Sequence, residues 1–338
     1  MIVEMVTGAS PDEVKAVVDR AKSLGFTVQL NEGTDKKVIA VLGSNTGQTQ
    51  TGVFEVLPSV ESVTRIMKPY KLASREFKTK DTTVACGGVK IGGNQIIVIA
   101  GPCAVETREQ MLQIAGQVKA SGASIMRGGA FKPRTSPFSF QGLAKTGLEL
   151  LAEAREQCGL PFATEVVDPH DVALVAETAD ILQIGSRNMQ NYALLTSAGK
   201  GNRPIILKRG FACTITEWLT AADYLLAEGN KNVILCERGI RTFEDSVRFS
   251  LDIAAIPVLK KASHLPVIVD PSHAAGHYSL VPAISKAAVA AGADGLLIEV
   301  HPNPKEALVD GAQSLTPVAF EKLMKELRPI AESVGRTI

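Results

Sequence analysis

The chain lacks any uninterrupted apolar run near the roughly 18 residues of a membrane span, which excludes a membrane-spanning helix. Charge imbalance is also missing. Its 36 basic and 35 acidic residues leave a formal charge of +1, which argues against a whole-surface binder of nucleic acid or anionic membrane. A concentrated local patch stays open. The five cysteines are scattered and odd in number, with no CxxC pair, so a disulfide framework is not expected and a reducing compartment is. Met1-Ile-Val-Glu-Met-Val has neither the basic end nor the long apolar stretch of a secretory signal, so a cytoplasmic location is expected. Low-complexity tracts and solenoid repeats are absent.

What is present is a series of eight short apolar strand candidates separated by helical patterns. They are 96–101, 124–128, 161–166, 181–185, 204–210, 233–239, 266–270 and 295–301. That alternation predicts a parallel sheet with crossover helices, and eight units suffice to close a (β/α)8 TIM barrel. At 338 residues the chain exceeds one bare barrel of about 250, so a second small domain is expected. Residues 1–68 supply it. They read as βαββαβ, the ferredoxin-like order, with strands at 2–6, 26–30, 37–42 and 60–67 and a turn region at Asn31-Glu32-Gly33. Helices are expected from Ser10-Pro11-Asp12-Glu13, a capping box, and over 48–57. This α+β domain holds no His or Cys and reads as an interaction or ligand-sensing module. Residues 69–95 read as a linker and a hairpin around Gly87-Gly88, with the hairpin a candidate plug for the barrel floor; 96–338 form the barrel.

Nearly every barrel strand ends in an ionisable side chain, and parity places these on the inward face. Arg127, Lys132, Arg134, Arg187, Lys208 and Arg238 put six cations at one mouth of a nearly neutral protein. Arg127 through Gln141 forms a long connection without helical or strand pattern, as functional loops do. Arginine forks and lysine point charges suit carboxylate and phosphate, and six exceed the need of one phosphate group. Two phosphorylated substrates, one also a carboxylate, would balance them. Cys103, His273, Glu299 and Asp310 form a second set suited to a divalent metal ion, with His301 the competitor of Glu299. The mixture does not choose among Mn, Fe, Co and Zn. Singly, a thiol or a histidine there is more often a core or hydrogen-bonded group. Cys86, Cys158, Cys213 and Cys236 read as core or surface thiols, Trp218 as helix packing, and His170 and His264 as caps or surface groups.

Gly101-Pro102-Cys103-Ala104-Val105-Glu106, Arg127-Gly128-Gly129, Lys132-Pro133-Arg134-Thr135-Ser136, Gln183-Ile184-Gly185, Leu207-Lys208-Arg209-Gly210, Cys236-Glu237-Arg238-Gly239, Asp270-Pro271-Ser272-His273 and Glu299-Val300-His301-Pro302 together resemble one family. It is the 3-deoxy-D-arabino-heptulosonate 7-phosphate (DAHP) synthase family, type I β subgroup with a regulatory N-terminal domain. The resemblance implies metal-dependent condensation of phosphoenolpyruvate with erythrose 4-phosphate, the entry step of the shikimate pathway. It implies Cys103, His273, Glu299 and Asp310 as metal ligands. Arg127, Lys132, Arg187, Lys208 and Arg238, with Ser186, would hold phosphoenolpyruvate; Arg134, Thr135, Ser136 and Asp270 would hold erythrose 4-phosphate. Lys132, Cys103 and His273 are the catalytic candidates, Lys132 as proton donor to the new alkoxide. A tyrosine or phenylalanine effector at the N-terminal domain, a homotetramer and a chorismate mutase partner are further expectations. The chain departs from the family at Ala104, where Ser is common, and at Ala274-Ala275, where Ser-Gly is. The alternatives are 3-deoxy-D-manno-octulosonate 8-phosphate synthase, whose loop reads Lys-Ala-Asn-Arg where this chain has Lys132-Pro133-Arg134-Thr135, and an amino-acid-sensing scaffold.

Overall fold

A computed structural model of the chain describes residues 1–32 and 36–338, in two compact units: Met1–Asp81 with Ala262–His264, and Thr82–Lys261 with Leu265–Ile338. The first unit runs β1 (Ile2–Met5), α1 (Pro11–Ser23), β2 (Thr27–Glu32), β3 (Lys37–Leu42), α2 (Gly52–Glu55) and β4 (Val60–Thr64). Its antiparallel sheet has the order β2-β3-β1-β4. The Ser10–Glu13 capping box opens α1, whose Val14, Val17 and Ala21 pack on Val3, Met5 and Ile39 of the sheet. The helix expected over 48–57 shrinks to α2. Gly52 and the β-branched Thr49 and Thr51 weaken helix propensity, and Thr51 makes no side-chain cap; only the turn around buried Phe54 persists. Gly33, expected in the β2–β3 turn, lies outside the described residues. Residues 69–81, expected to be linker, group with this unit, where Leu72 and Ala73 are buried. His264 is not the surface group expected: it is buried, and its Nε2 lies 2.8 Å from the Leu72 carbonyl.

The second unit begins with a hairpin, β5 (Val84–Cys86) and β6 (Val89–Ile91), turned at Gly87-Gly88. The barrel strands follow: β7 (Ile97–Gly101), β8 (Ile125–Arg127), β9 (Phe162–Glu165), β10 (Ile181–Ile184), β11 (Ile205–Lys208), β12 (Val233–Glu237), β13 (Val267–Val269) and β14 (Gly295–Glu299). Parallel pairing closes them in sequence order, β14 joining β7. Between and after them lie α3 (Arg108–Ala120), α4 (Ala144–Cys158), α5 (Val172–Thr178), α6 (Tyr192–Gly199), α7 (Ile215–Ala227), α8 (Ala255–Ala262), α9 (Pro271–Ala275), α10 (Val281–Ala290) and α11 (Pro317–Ser333). Thr214 and Glu217 form a capping box on α7. On α3 only half forms: Thr107 accepts the Gln110 N–H, while the Gln110 side chain turns to the Glu106 N–H and the Ala104 carbonyl.

Inside the barrel, Ile97, Ile99, Ile125, Ala163, Ile181, Ile206, Cys236, Ile268 and Leu297 form one apolar cluster. Val84, Cys86 and Ile91 of the hairpin belong to the same cluster, so the hairpin fills the barrel floor. Two residues further along most of these strands, about 6–7 Å, the same inward parity brings Arg127, Glu165, Gln183, Lys208, Arg238, Asp270 and Glu299. One pleat separates core from chemistry.

Candidate active site

A cavity of about 290 Å3 opens at the C-terminal ends of the barrel strands, where active sites of this architecture lie. Eight cations line it: Arg127, Lys132, Arg134, Arg187, Lys208, Arg238, Arg241 and Arg248. The six expected from the sequence are all there. They fall into two tiers. Arg127, Lys132, Lys208 and Arg238 are buried, whereas Arg187, Arg241 and Arg248 are exposed beside Thr135 and Ser136, with Arg134 half-buried. Arg187, which the resemblance groups with the phosphoenolpyruvate residues, is exposed, and its Nη2 donates to Thr135 Oγ1 at 3.2 Å.

Arg241, Arg248, Phe211 and Phe249 were not expected. Phe211 and Phe249 stack at 5.0 Å, and the Arg238 guanidinium lies 3.9 Å from the Phe249 ring centre. These aromatic faces hold a cation that burial would otherwise disfavour. Burial still dominates, lowering the Arg238 pKa to about 10, and Asp270 works against that shift. The connection carrying Arg241, Arg248 and Phe249 lacks hydrophobic periodicity, so its charges read in sequence as solvated; only its length after a barrel strand marks it.

The deep cations are held by buried acids. Arg127 Nη1 donates to Glu299 Oε1 at 2.8 Å, and Lys208 Nζ to Asp270 Oδ2 at 2.6 Å. Asp270 Oδ2 also lies 2.7 Å from His273 Nδ1, and Asp270 Oδ1 accepts the His273 N–H, capping α9. Asp270 was expected to touch substrate. Instead it is fully buried, outside the cavity lining, and it fixes Lys208 and His273. Burial alone would raise its pKa, but His273 and Lys208 outweigh that and hold it well below the carboxylate range. Glu299 behaves similarly: burial opposes its charge, yet His273 and Arg127 bring its pKa down to about 2. Gly185 matches this crowding, since a Cβ there would run into Glu165 Oε1. Buried Arg127 Nε and Ser186 Oγ have no hydrogen-bond partner, as polar atoms facing a ligand site would.

Cys103, His273, Glu299 and Asp310 converge, with one ligand atom from each lying within 4.8 Å of the others. Cys103 Sγ is 3.4 Å from Asp310 Oδ2, and His273 Nε2 is 3.4 Å from Glu299 Oε1 and 3.8 Å from Asp310 Oδ2. Ligand bonds of about 2.0–2.3 Å in a tetrahedron place neighbouring ligand atoms about 3.3–3.8 Å apart, so the set fits a divalent ion. His301 is not in the cluster. The strand ends at Glu299, and the His301 ring turns outward to Glu106. Lys132 bridges the halves of the site, its Nζ lying 3.2 Å from Cys103 Sγ and 3.1 Å from the Cys103 carbonyl. Burial opposes the Lys132 charge, but the Cys103 sulfur and Glu165 outweigh it and raise its pKa.

Comparison with known proteins divides the chain at residues 68–70, ahead of the break near residue 81 in the structure. Residues 70–333 match the DAHP synthetase I family, and residues 1–68 match the DAHP synthase ferredoxin-like domain. A phospho-2-dehydro-3-deoxyheptonate aldolase of Thermotoga maritima is 47% identical over 335 residues, 99% of both chains. The crystal structure of a phospho-2-dehydro-3-deoxyheptonate aldolase (DAHP synthase) of Thermotoga maritima, 47% identical, superposes with a TM-score of 0.79, covering 99% of this chain and 98% of that one. A 2-dehydro-3-deoxyphosphooctonate aldolase of Syntrophotalea carbinolica is 33% identical over 267 residues, 73% of this chain and 95% of that one.

Proposed function

The chain belongs to the DAHP synthetase I family and condenses phosphoenolpyruvate with erythrose 4-phosphate and water, giving DAHP and phosphate; we propose that the two tiers of its cavity divide that work. The octulosonate alternative is not favoured, because those relatives match at lower identity and over less of the chain. The deep tier of Arg127, Lys132, Lys208 and Arg238 takes phosphoenolpyruvate, whose phosphate and carboxylate need several fixed cations. Arg134, Thr135 and Ser136, with Arg187 beside them, take the phosphate of erythrose 4-phosphate at the rim. Ser186 Oγ supplies a hydroxyl to the anion beneath.

Cys103, His273, Glu299 and Asp310 would hold the ion; manganese, iron, cobalt and zinc all accept this donor set. When bound it supplies Lewis-acid polarisation of the aldehyde or activation of water. The C3 carbon of the enol attacks the aldehyde carbon, and the Lys132 ammonium gives its proton to the forming alkoxide. Water then adds at C2, and the hemiketal phosphate releases phosphate by C–O cleavage. The fixed cations hold two mutually repelling anions together, so much of their effect is positioning.

The observation carrying this reading is that four metal-type donors and the buried cations meet at one cavity. Phosphate release should be fast with erythrose 4-phosphate, slow with arabinose 5-phosphate, absent after chelation and restored by metal. Preference for the pentose phosphate, or full turnover without metal, would overturn it. Residues 1–68 we take as a regulatory domain for tyrosine or phenylalanine, since they carry a core of their own and match the family's ferredoxin-like domain. Deleting them should leave turnover and abolish inhibition; feedback retained by the truncated enzyme would refute the assignment. A cytoplasmic homotetramer, with chorismate mutase as a partner, remains the assembly to test by light scattering and pull-down. The five free thiols fit such a compartment.

A further inference from the structure

Three of the four metal-type donors are placed by regular structure. Glu299 ends β14, His273 sits in α9, and Cys103 follows β7 closely. Asp310 is different. It lies well beyond the end of β14, half-buried, with φ +54, a backbone region that non-glycine residues seldom adopt. Something must hold its connection in register with the other three.

Glu106, three residues past Cys103, reaches that connection at two points, near its start and at its middle. Its Oε1 accepts the Leu308 N–H at 2.9 Å, two residues before Asp310. Its Oε2 lies 3.4 Å from His301 Nε2, at the start of the same connection. The His301 ring is oriented from its other side: Nδ1 lies 3.1 Å from the Asn303 nitrogen, whose N–H it must accept. The ring proton of the neutral imidazole is therefore on Nε2, facing Glu106. Between Leu308 and Asp310, Val309 packs on Cys103 and Ala104. The Glu106 and His301 side chains are themselves only 9% and 7% exposed, so water competes little with the contact between them.

We propose that Glu106 is a positioning residue for Asp310: its carboxylate ties the connection after β14 to the Cys103 segment, so that the first and fourth donors move as one. The proposal rests on the assignment of Asp310 as a metal ligand. Groups that orient ligands typically change metal affinity about 10–100-fold when removed. In the full-length protein, Glu106→Ala should weaken Mn2+ and Zn2+ binding about tenfold or more, measured by chelator competition. In metal-free protein, the same variant should speed amide hydrogen exchange over residues 302–313 and leave the barrel strands unchanged. Glu106→Gln keeps an acceptor for the Leu308 N–H, so it should retain affinity within about threefold of wild type and serves if the alanine variant does not fold.

The decisive background is Asp310→Asn, in which Glu106→Ala should add less than about twofold to the loss. A full tenfold penalty there, wild-type affinity for Glu106→Ala, or equal losses in the alanine and glutamine variants would overturn the proposal. If Glu106→Ala does not fold and Glu106→Gln exchanges uniformly faster across the barrel, the role is structural and the proposal also falls. Asp310→Asn that binds metal like wild type would instead remove the ligand assignment itself.

Discussion

The floor and the mouth of the barrel are built from the same eight strands, one pleat apart, and they follow opposite rules. At the floor, Val84 and Ile91 of the hairpin complete an apolar cluster with Ile97, Ile181 and Ile206. At the mouth, Arg127 meets Glu299, Lys208 meets Asp270, and Arg127 Nε and Ser186 Oγ have no partner among the described residues. Burial of apolar surface stabilises the first region; the second holds charges out of water, which costs stability unless they are paired or meet a ligand. The fold concentrates stability at one end of each strand and reactivity at the other.

The largest effect expected from that division is at the mouth. Cys103→Ala should lower kcat/KM by about a thousandfold, since a metal contributes several kcal/mol to a transition state, while the chelated variant melts within a few degrees of chelated wild type. Normal turnover in metal-free Cys103→Ala would erase the distinction. At the floor the pattern should reverse. Ile91→Ala leaves a cavity costing about 2–4 kcal/mol in denaturant unfolding, with kcat/KM unchanged within about twofold. An equal loss of activity would mean that the ends are mechanically coupled.

A buried group outside both ends sharpens the contrast. Burial lowers the His264 pKa to about 4; its contact with the Leu72 carbonyl works the other way. Between its unfolded value near 6.5 and the folded value, the unfolded state binds the extra proton. His264 therefore destabilises the fold progressively as pH falls from about 6.5 to 4, by up to about 3 kcal/mol. His264→Gln should flatten the unfolding midpoint over that window and leave the pH profile of turnover unchanged. The smallest effect belongs to the rim. Arg241→Ala removes an exposed cation, so KM for the phosphorylated aldehyde should rise only about threefold, and less at high salt. A loss as large as that at Cys103 would place Arg241 in the chemistry itself.

The strands and their terminal charges were readable because period-two alternation links each inward apolar residue to the inward residue that follows. The outer cations were not. Arg241 and Arg248 lie on a connection with no period, where a solvated charge and a substrate-facing one look alike. Asp270 had the right parity, but sequence does not reveal that Lys208 and His273 already occupy its oxygens. In the N-terminal unit, the expectation of a helix over 48–57 overlooked Gly52, Thr49 and Thr51, which keep it short. His264 carried no sequence signal of burial, since the residues that cover it come from the distant segment around Leu72.

With the hairpin filling one end of the barrel, molecular traffic runs through the other. On the proposed division of the two tiers, a ligand bound against Arg127 and Lys208 enters before the rim is occupied, so a plugged base imposes an order of arrival.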